Sequence, residues 1–323
     1  MCYSAMVQQD LKSIARKFPG AVPDLGAFED IFARRVDDKA IKIPRAMEAN
    51  FADPATPQEK RIRASIDKFN GQLRTVLEKE QFTQTKRFND AERSLKVKET
   101  VKAKEDLRIS GDKITKAKAR LKALNDNVLR PNDSRIFPMV YAPVVVMKDG
   151  KLLIRPMRYH CRPNGQLESM DRKFPGVYNA RRDTMNKPKS LWKPLFGHHH
   201  GVMIVKSFFE NVLRHNFEHR ALKTGEEPEN IRLHFDPQQP DPMLVACLWD
   251  RWTAPGKPDL LSFAAVTDEP PKEVAATGHD RCIVPLKPES VRTWLDAEAS
   301  DTSTLDGLLE DRQRPYYEHQ LAA

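Results

Sequence analysis

No proline occurs between Pro57 and Pro131, and only Gly71 and Gly111 break the run of side-chain-bearing residues in between. A stretch this long without a breaker has few options besides long helices. Apolar residues recur at helical spacing at Ile62, Ile66, Phe69, Leu73, Val76 and Leu77. Further on, Leu107, Ile114 and Leu121 lie seven apart, with Ala117 and Leu124 among them. The pattern predicts amphipathic helices over about 57–128, packed as a hairpin or short coiled coil. Asp53-Pro54 and Thr56-Pro57 mark its start, and "ISGD" at 109–112 is the expected helix break. From Pro57 to Arg130 there are 20 Lys+Arg against 11 Asp+Glu, so this segment carries the whole net charge of +9. A basic balance of this kind suits a polyanionic partner, although a lysine-rich helix face is more commonly just solvated.

From about Arg135 the texture changes. "PVVVMKDGKLLIRPM" (143–157) is two β-rich runs around Asp149-Gly150, a hairpin signal. "HHGVMIVKSFF" (199–209), "PMLVACLWDRW" (242–252), "LLSFAAVT" (260–267) and "DRCIVPL" (280–286) are further strand candidates. "PESVRTWLDAE" (288–298) and "TSTLDGLLE" (302–310) read as helices. Many strands with few helices between them predict an antiparallel α+β domain.

No run approaches 18 apolar residues, and no secretory leader is visible, so an intracellular, cytoplasmic protein is expected. Cys2, Cys161, Cys247 and Cys282 are widely spaced, which does not suggest a disulfide framework. "GHHHG" (197–201) and "YHC" (159–161) are rich in metal-ligand types. Consecutive histidines do not face one way, however, and no spaced ligand pairs accompany them, so no metal and no cofactor is expected.

The N-terminal "MCYSAM" places Cys2 directly after Met1. Removal of Met1 would leave one residue with two nucleophiles, a thiol and an α-amine. Four later stretches accompany it in order: "VYNARRDT" (177–184), "SFFEN" (207–211), "CLWDRW" (247–252) and "GHDRCIVPL" (278–286), with "LWKPLF" (191–196) between the first two. Together they resemble the SRAP family, the SOS-response-associated peptidases or abasic-site processing proteins. The resemblance covers residues 1–7 and 131–323 as one SRAP-like domain, and leaves 8–130 as a mostly helical insertion. It implies an antiparallel, β-barrel-like core with flanking helices, to which the basic hairpin is added.

The resemblance also implies covalent attachment to abasic sites in single-stranded DNA, as part of DNA repair in the SOS response. The chemistry follows from the residues. An α-amine with a pKa near 7.7–8.0 is partly unprotonated at neutral pH and can attack the aldehyde of a ring-opened abasic sugar. The thiol on the same residue then closes a thiazolidine, intramolecularly. Carried over position by position, Cys2 is the nucleophile and Asn179 holds the N-terminal residue or the sugar. Glu210 is the general acid/base, also for autopeptidase removal of Met1, and His279 protonates the sugar hydroxyl in a lyase-like ring opening. Arg181, and more weakly Thr267, contact DNA phosphates.

Several positions depart from the family pattern. Tyr3-Ser4 stand in place of Gly-Arg, Asn211 in place of a tryptophan, and Cys282 in place of a methionine. "RYHCRPNGQ" replaces a tryptophan-rich stretch, where Tyr159 or Arg162 is a partial substitute. His198, His199 and His200 have no counterpart and are expected at the surface. The expected partner is abasic single-stranded DNA, met by a nucleoid-associated monomer with no membrane contact. Two other classes remain open on the residues alone. One is a thiol hydrolase acting in trans through Cys2 or Cys161 with His279. The other is a non-enzymatic nucleic-acid binder that uses the basic helices.

Overall fold

The computed structural model describes residues 3–126, 128–296 and 301–322. Cys2 therefore lies outside the described residues. The strands are β1 (Ser4–Val7), β2 (Val22–Pro23), β3 (Arg135–Ile136), β4 (Tyr141–Lys148), β5 (Lys151–Tyr159), β6 (Asn179–Arg181) and β7 (His200–Leu213). They continue with β8 (Asn230–Pro237), β9 (Met243–Trp252), β10 (Leu260–Asp268), β11 (Cys282–Ile283), β12 (Pro285–Leu286) and β13 (Tyr317–Leu321). All belong to one sheet, whose main path runs β12-β9-β10-β5-β4-β7-β1-β3, with β9 also pairing β7.

The sheet is mixed, which corrects the expectation of an antiparallel, barrel-like core. β10 runs parallel to β5 over Ser262↔Arg158 and Phe263↔Tyr159, and parallel to β6 over Ala265↔Asn179 to Thr267↔Arg181. β2 is also parallel to β5. The cause is local. β5 ends at Tyr159, where His160 takes a φ of 150° and the chain leaves the sheet. It returns as β6 on the same edge of β10 and in the same direction, so one parallel neighbour replaces another. This relay delivers Asn179 to its place.

The central strands read as continuous apolar runs because both faces are covered. On β4, Val145 packs into one apolar cluster and Val144 and Val146 into the other. On β9, Leu244, Ala246 and Leu248 face the first, and Val245, Cys247 and Trp249 the second. The β4–β5 hairpin turns at Asp149 (φ 50°) and Gly150 (φ 73°), the left-handed pair that a two-residue turn requires. β7 is the spine. Its first half pairs β4 and β9, and its second half pairs β1 and β8.

The first cluster is covered by helices α1 (Leu11–Lys17), α2 (Leu25–Arg35), α3 (Arg45–Glu48) and the start of α4 (Pro57–Val97), through Ile14, Phe28, Phe32, Met47, Ile62 and Ile66. α4 opens on a capping box between Thr56 and Glu59, with Pro57 in its first turn. At 1.5 Å per residue its 41 residues reach about 60 Å. α5 (Val101–Asn125) folds back along it, with Arg87 bonded to Asp106, Lys113 3.7 Å from Glu80, and Arg74 2.7 Å from Asn125.

The helix break is not at 109–112. It falls between Val97 and Val101, where the side chain of Thr100 caps the second helix. Gly111 stays helical, since an interior glycine costs only about 1 kcal/mol. It packs beside the Phe88 ring of α4, and a Cβ there would make an ordinary contact at 3.5 Å.

Among the three histidines, His200 is buried, not at the surface. Its Nε2 accepts from the Gly197 N–H at 2.8 Å and its Nδ1 donates to the Trp294 carbonyl at 2.9 Å. Burial pushes it down to about 3, against the Trp294 hydrogen bond. Among the described residues no group of three His, Cys, Asp or Glu side chains is placed to hold a metal ion, and no helix is long and apolar enough to cross a membrane.

Candidate active site

Glu210 lies in the second half of β7, clamped between β1 (Ser4↔Phe209) and β8 (Glu210↔Leu233). Its neighbours Phe208 and Val212 belong to the second apolar cluster, so strand alternation aims Glu210 at the same side. It is 1% exposed. Two groups meet one carboxylate oxygen, Oε2. The backbone N–H of Tyr3 donates to it at 3.3 Å, and the His279 Nε2 lies 3.3 Å away. Burial pushes the Glu210 carboxyl above the usual carboxylate range, opposed first by the His279 hydrogen bond.

His279 is held from behind. Its Nδ1 lies 2.8 Å from the Arg281 carbonyl and 3.3 Å from the Arg281 N–H. The turn that presents it depends on Gly278, whose φ is +86°. A Cβ at Gly278 would also lie 2.7 Å from the Asn216 Cβ. Glu210 and His279 thus form a carboxyl–imidazole pair in a dry setting, able to keep one proton between them and hand it to a third group. Cys282, the residue that departs from the motif, is buried beside them. Burial and the Glu210 charge push its thiol up to about 12.

Asn179 and Thr267 face the same side of the sheet as Glu210. Asn179 pairs in register with Ala265, which belongs to the second cluster, and Thr267 follows Ala265 by two. The Asn179 Oδ1 accepts from the Tyr159 hydroxyl at 3.3 Å. Its Nδ2 and the Thr267 Oγ1 are buried with no hydrogen-bond partner among the described residues. Two orphaned polar groups on one buried face are expensive unless something polar meets them.

Arg181 lies at the rim, and its guanidinium donates to Asp183 at 3.3 and 3.4 Å. Asp183 also receives Arg281 at 3.2 and 3.3 Å. Tyr159 and Arg162 do not serve as substitute DNA contacts. Tyr159 is buried against Tyr178 and Phe263, with ring centroids 5.5 and 5.3 Å away. Arg162 is buried on Asp171 and stacks 4.5 Å from the Trp252 ring. Cys161 is fully enclosed, its thiol pushed far above the ordinary range by burial, which removes it as a nucleophile.

Sequence reasoning did not single out Arg135. Its guanidinium donates to the Ser4 hydroxyl at 2.8 and 3.2 Å and stacks 3.4 Å over the Phe209 ring. Pairing of β3 with β1 brings it there, and a two-residue strand leaves no periodic signal to find it by.

The profile described as SOS response associated peptidase (SRAP) matches residues 98–322. The chain belongs to the SRAP family. That description ties it to the DNA-damage response and to peptidase-like activity. The match takes in α5 and every strand from β3 onward. No curated protein matches the chain. Among solved structures, a protein from Bacteroides thetaiotaomicron is similar at 14% identity and a TM-score of 0.45, over 59% of this chain and 78% of that one. A protein from Bordetella bronchiseptica is similar at 16% identity and a TM-score of 0.44, over 59% of this chain and 87% of that one. A phage-related protein from the same organism is 20% identical with a TM-score of 0.42, over 58% and 81% of the two chains.

Proposed function

We propose that this SRAP protein attaches itself to abasic sites in single-stranded DNA through Cys2, after loss of Met1. The observation that carries the reading is the contact of Glu210 with both His279 and the N–H of Tyr3, the nitrogen covalently joined to Cys2. A proton-transfer pair is held at the chain position next to the proposed nucleophile.

In this reading the Cys2 amine adds to the sugar aldehyde, and the carbinolamine loses water to give an imine. The thiol then adds to the imine carbon, its proton passing to the nitrogen, and a thiazolidine results with one water released overall. Glu210, whose carboxyl burial raises above its ordinary range, donates the proton that lets water leave. His279 returns a proton to the pair and serves the sugar hydroxyl as its ring opens. Asn179 and Thr267 offer their Nδ2 and Oγ1, which have no partner among the described residues, to the sugar or its phosphate. Arg181 is a phosphate contact only if it leaves Asp183. Removal of Met1 uses the same Glu210 to activate water for hydrolysis of the Met1–Cys2 bond. Residues 1–7 and 131–323 form the working domain, acting as a monomer.

Intact mass before and after incubation with abasic single-stranded DNA tests the reading. The expected results are absence of Met1, then a gain equal to the oligonucleotide less one water, both lost in Cys2→Ala. A protein that retains Met1 or forms no adduct overturns it. Cleavage of peptides in trans without an adduct would favour the hydrolase reading instead.

A further inference from the structure

On the sheet face opposite Glu210, the registers of β1, β7 and β8 put Ser4, Phe209 and His234 in one row, with Arg135 of β3 and Arg232 of β8 on the same face, each one step along from that row. Arg135 joins Ser4, Phe209 and Phe137 by direct contact, and Arg232 lies on the same face. The Tyr3 and Phe137 rings meet edge-on at 5.7 Å, and Arg135 lies 4.9 Å from Phe137 and 3.4 Å from Phe209. Phe209 in turn stacks on His234 at 4.5 Å. Tyr3 and Phe137 are half-buried, and Arg232 is exposed.

Neither Arg135 nor Arg232 has a carboxylate within 4.0 Å among the described residues, unlike most arginines of this chain. They lie on the same face of the sheet by register: Arg135 pairs Met6 on β1, and Arg232 pairs Asn211 on β7. Two cations on one face, neither with a carboxylate partner among the described residues, suit an anionic ligand. The built geometry supports this. The Arg135 fork is fixed by Ser4 and two rings, so little entropy is lost when it binds.

We propose that Arg135 and Arg232, with the Tyr3 and Phe137 rings, bind the strand of single-stranded DNA beside the reacting nucleotide, the guanidinium groups on its phosphates and the rings on its bases. Alternating cations and rings match the alternation of phosphates and bases along a single strand. Ser4 follows Cys2 by two residues, a contour of at most about 7 Å. That length of chain is all that separates the strip from the proposed nucleophile. The inference rests on the nucleic-acid reading above, but its test does not need the covalent step.

The probe is a short fluorescent oligonucleotide without an abasic site, titrated with the full-length protein at several salt concentrations. Arg135→Gln/Arg232→Gln is expected to weaken binding by about tenfold or more. It should also reduce the slope of log affinity against log salt by about 0.7 for each phosphate left without its arginine. An unchanged slope, or wild type without salt-dependent binding, overturns the proposal. Should the double variant unfold because Ser4 loses its donor, Arg232→Gln alone decides by the same slope. With an abasic strand, the variant should crosslink slowly at low DNA and normally at saturation. Failure of wild type to crosslink at all would sink the covalent reading and leave the binding result to stand separately.

Discussion

At Glu210, position and environment are both needed. Glu210→Gln keeps the shape and the hydrogen bonds but cannot give up a proton. Crosslinking rates should drop by about 10²–10⁴-fold, measured by single-turnover gel assay. The same variant reports on stability. Because the folded Glu210 binds its proton more tightly than the unfolded chain does, the protein takes up a proton on folding. Its contribution to stability is full below the unfolded carboxylate pKa and declines as pH rises from there toward the raised folded value. Denaturant melts of wild type and Glu210→Gln should therefore diverge with rising pH, with wild type losing more. Parallel curves would show that burial leaves this carboxyl unshifted. Gly278 is the second residue on which the site depends. Gly278→Ala faces both the left-handed φ and the Asn216 backbone, at a cost of about 1–3 kcal/mol. It should lower the melting temperature and slow crosslinking together, by moving His279.

The elements divide into those that hold the sheet and one that projects from it. α4 is anchored by Ile62 and Ile66 in the core and by Arg35, 4.0 Å from the Phe69 ring. Beyond that its partner is α5, joined through Ala91, Ala103, Ala117 and surface ion pairs worth little each. Replacing residues 82–111 with a short polar turn should leave the near-ultraviolet signal of the four buried tryptophans intact. The melting temperature should stay within about 4 °C. By contrast, Ile62→Ala should cost about 2–5 kcal/mol. A collapse of the shortened protein would show that the distal hairpin is part of the fold's stability.

For the molecule as a whole, several carboxylates have opposite pH behaviour to Glu210. Asp171, despite burial, is held below its ordinary range by hydrogen bonds from Arg162 and Arg158. Asp250, also against burial, is held down by His199 and by the backbone N–H groups of Asn164 and Arg251. Their contribution is present above the unfolded carboxylate pKa and is lost as pH falls through the folded values. Acid unfolding should therefore begin below about pH 4. Asp171→Asn should flatten that limb in a urea-midpoint series across pH. A variant with the wild-type acid limb would remove Asp171 from the account.

Local pattern was enough for the hairpin at Asp149-Gly150, for the apolar strands β7, β9 and β10, and for the 302–310 helix, because each is encoded by a few adjacent residues. The order of motifs around Cys2, Asn179, Glu210 and His279 was also legible, since each carries its own short signature. The short strands β6 and β13 were not, because three to five residues carry no periodic signal and pair only with a strand already in place. The parallel relay from β5 to β6 depends on one unusual torsion at His160. The helix break lies at Lys98–Thr100 and not at Gly111, because Thr100 supplies a side-chain cap while Gly111 packs against α4 inside α5. Arg135 reaches Ser4 and Phe209 only through pairing over more than a hundred residues. The sequence alone determined which chemical groups the protein carries and the regular elements that hold them. Tertiary packing decided which polar groups were buried together, because desolvation and strand register depend on neighbours that no local window contains.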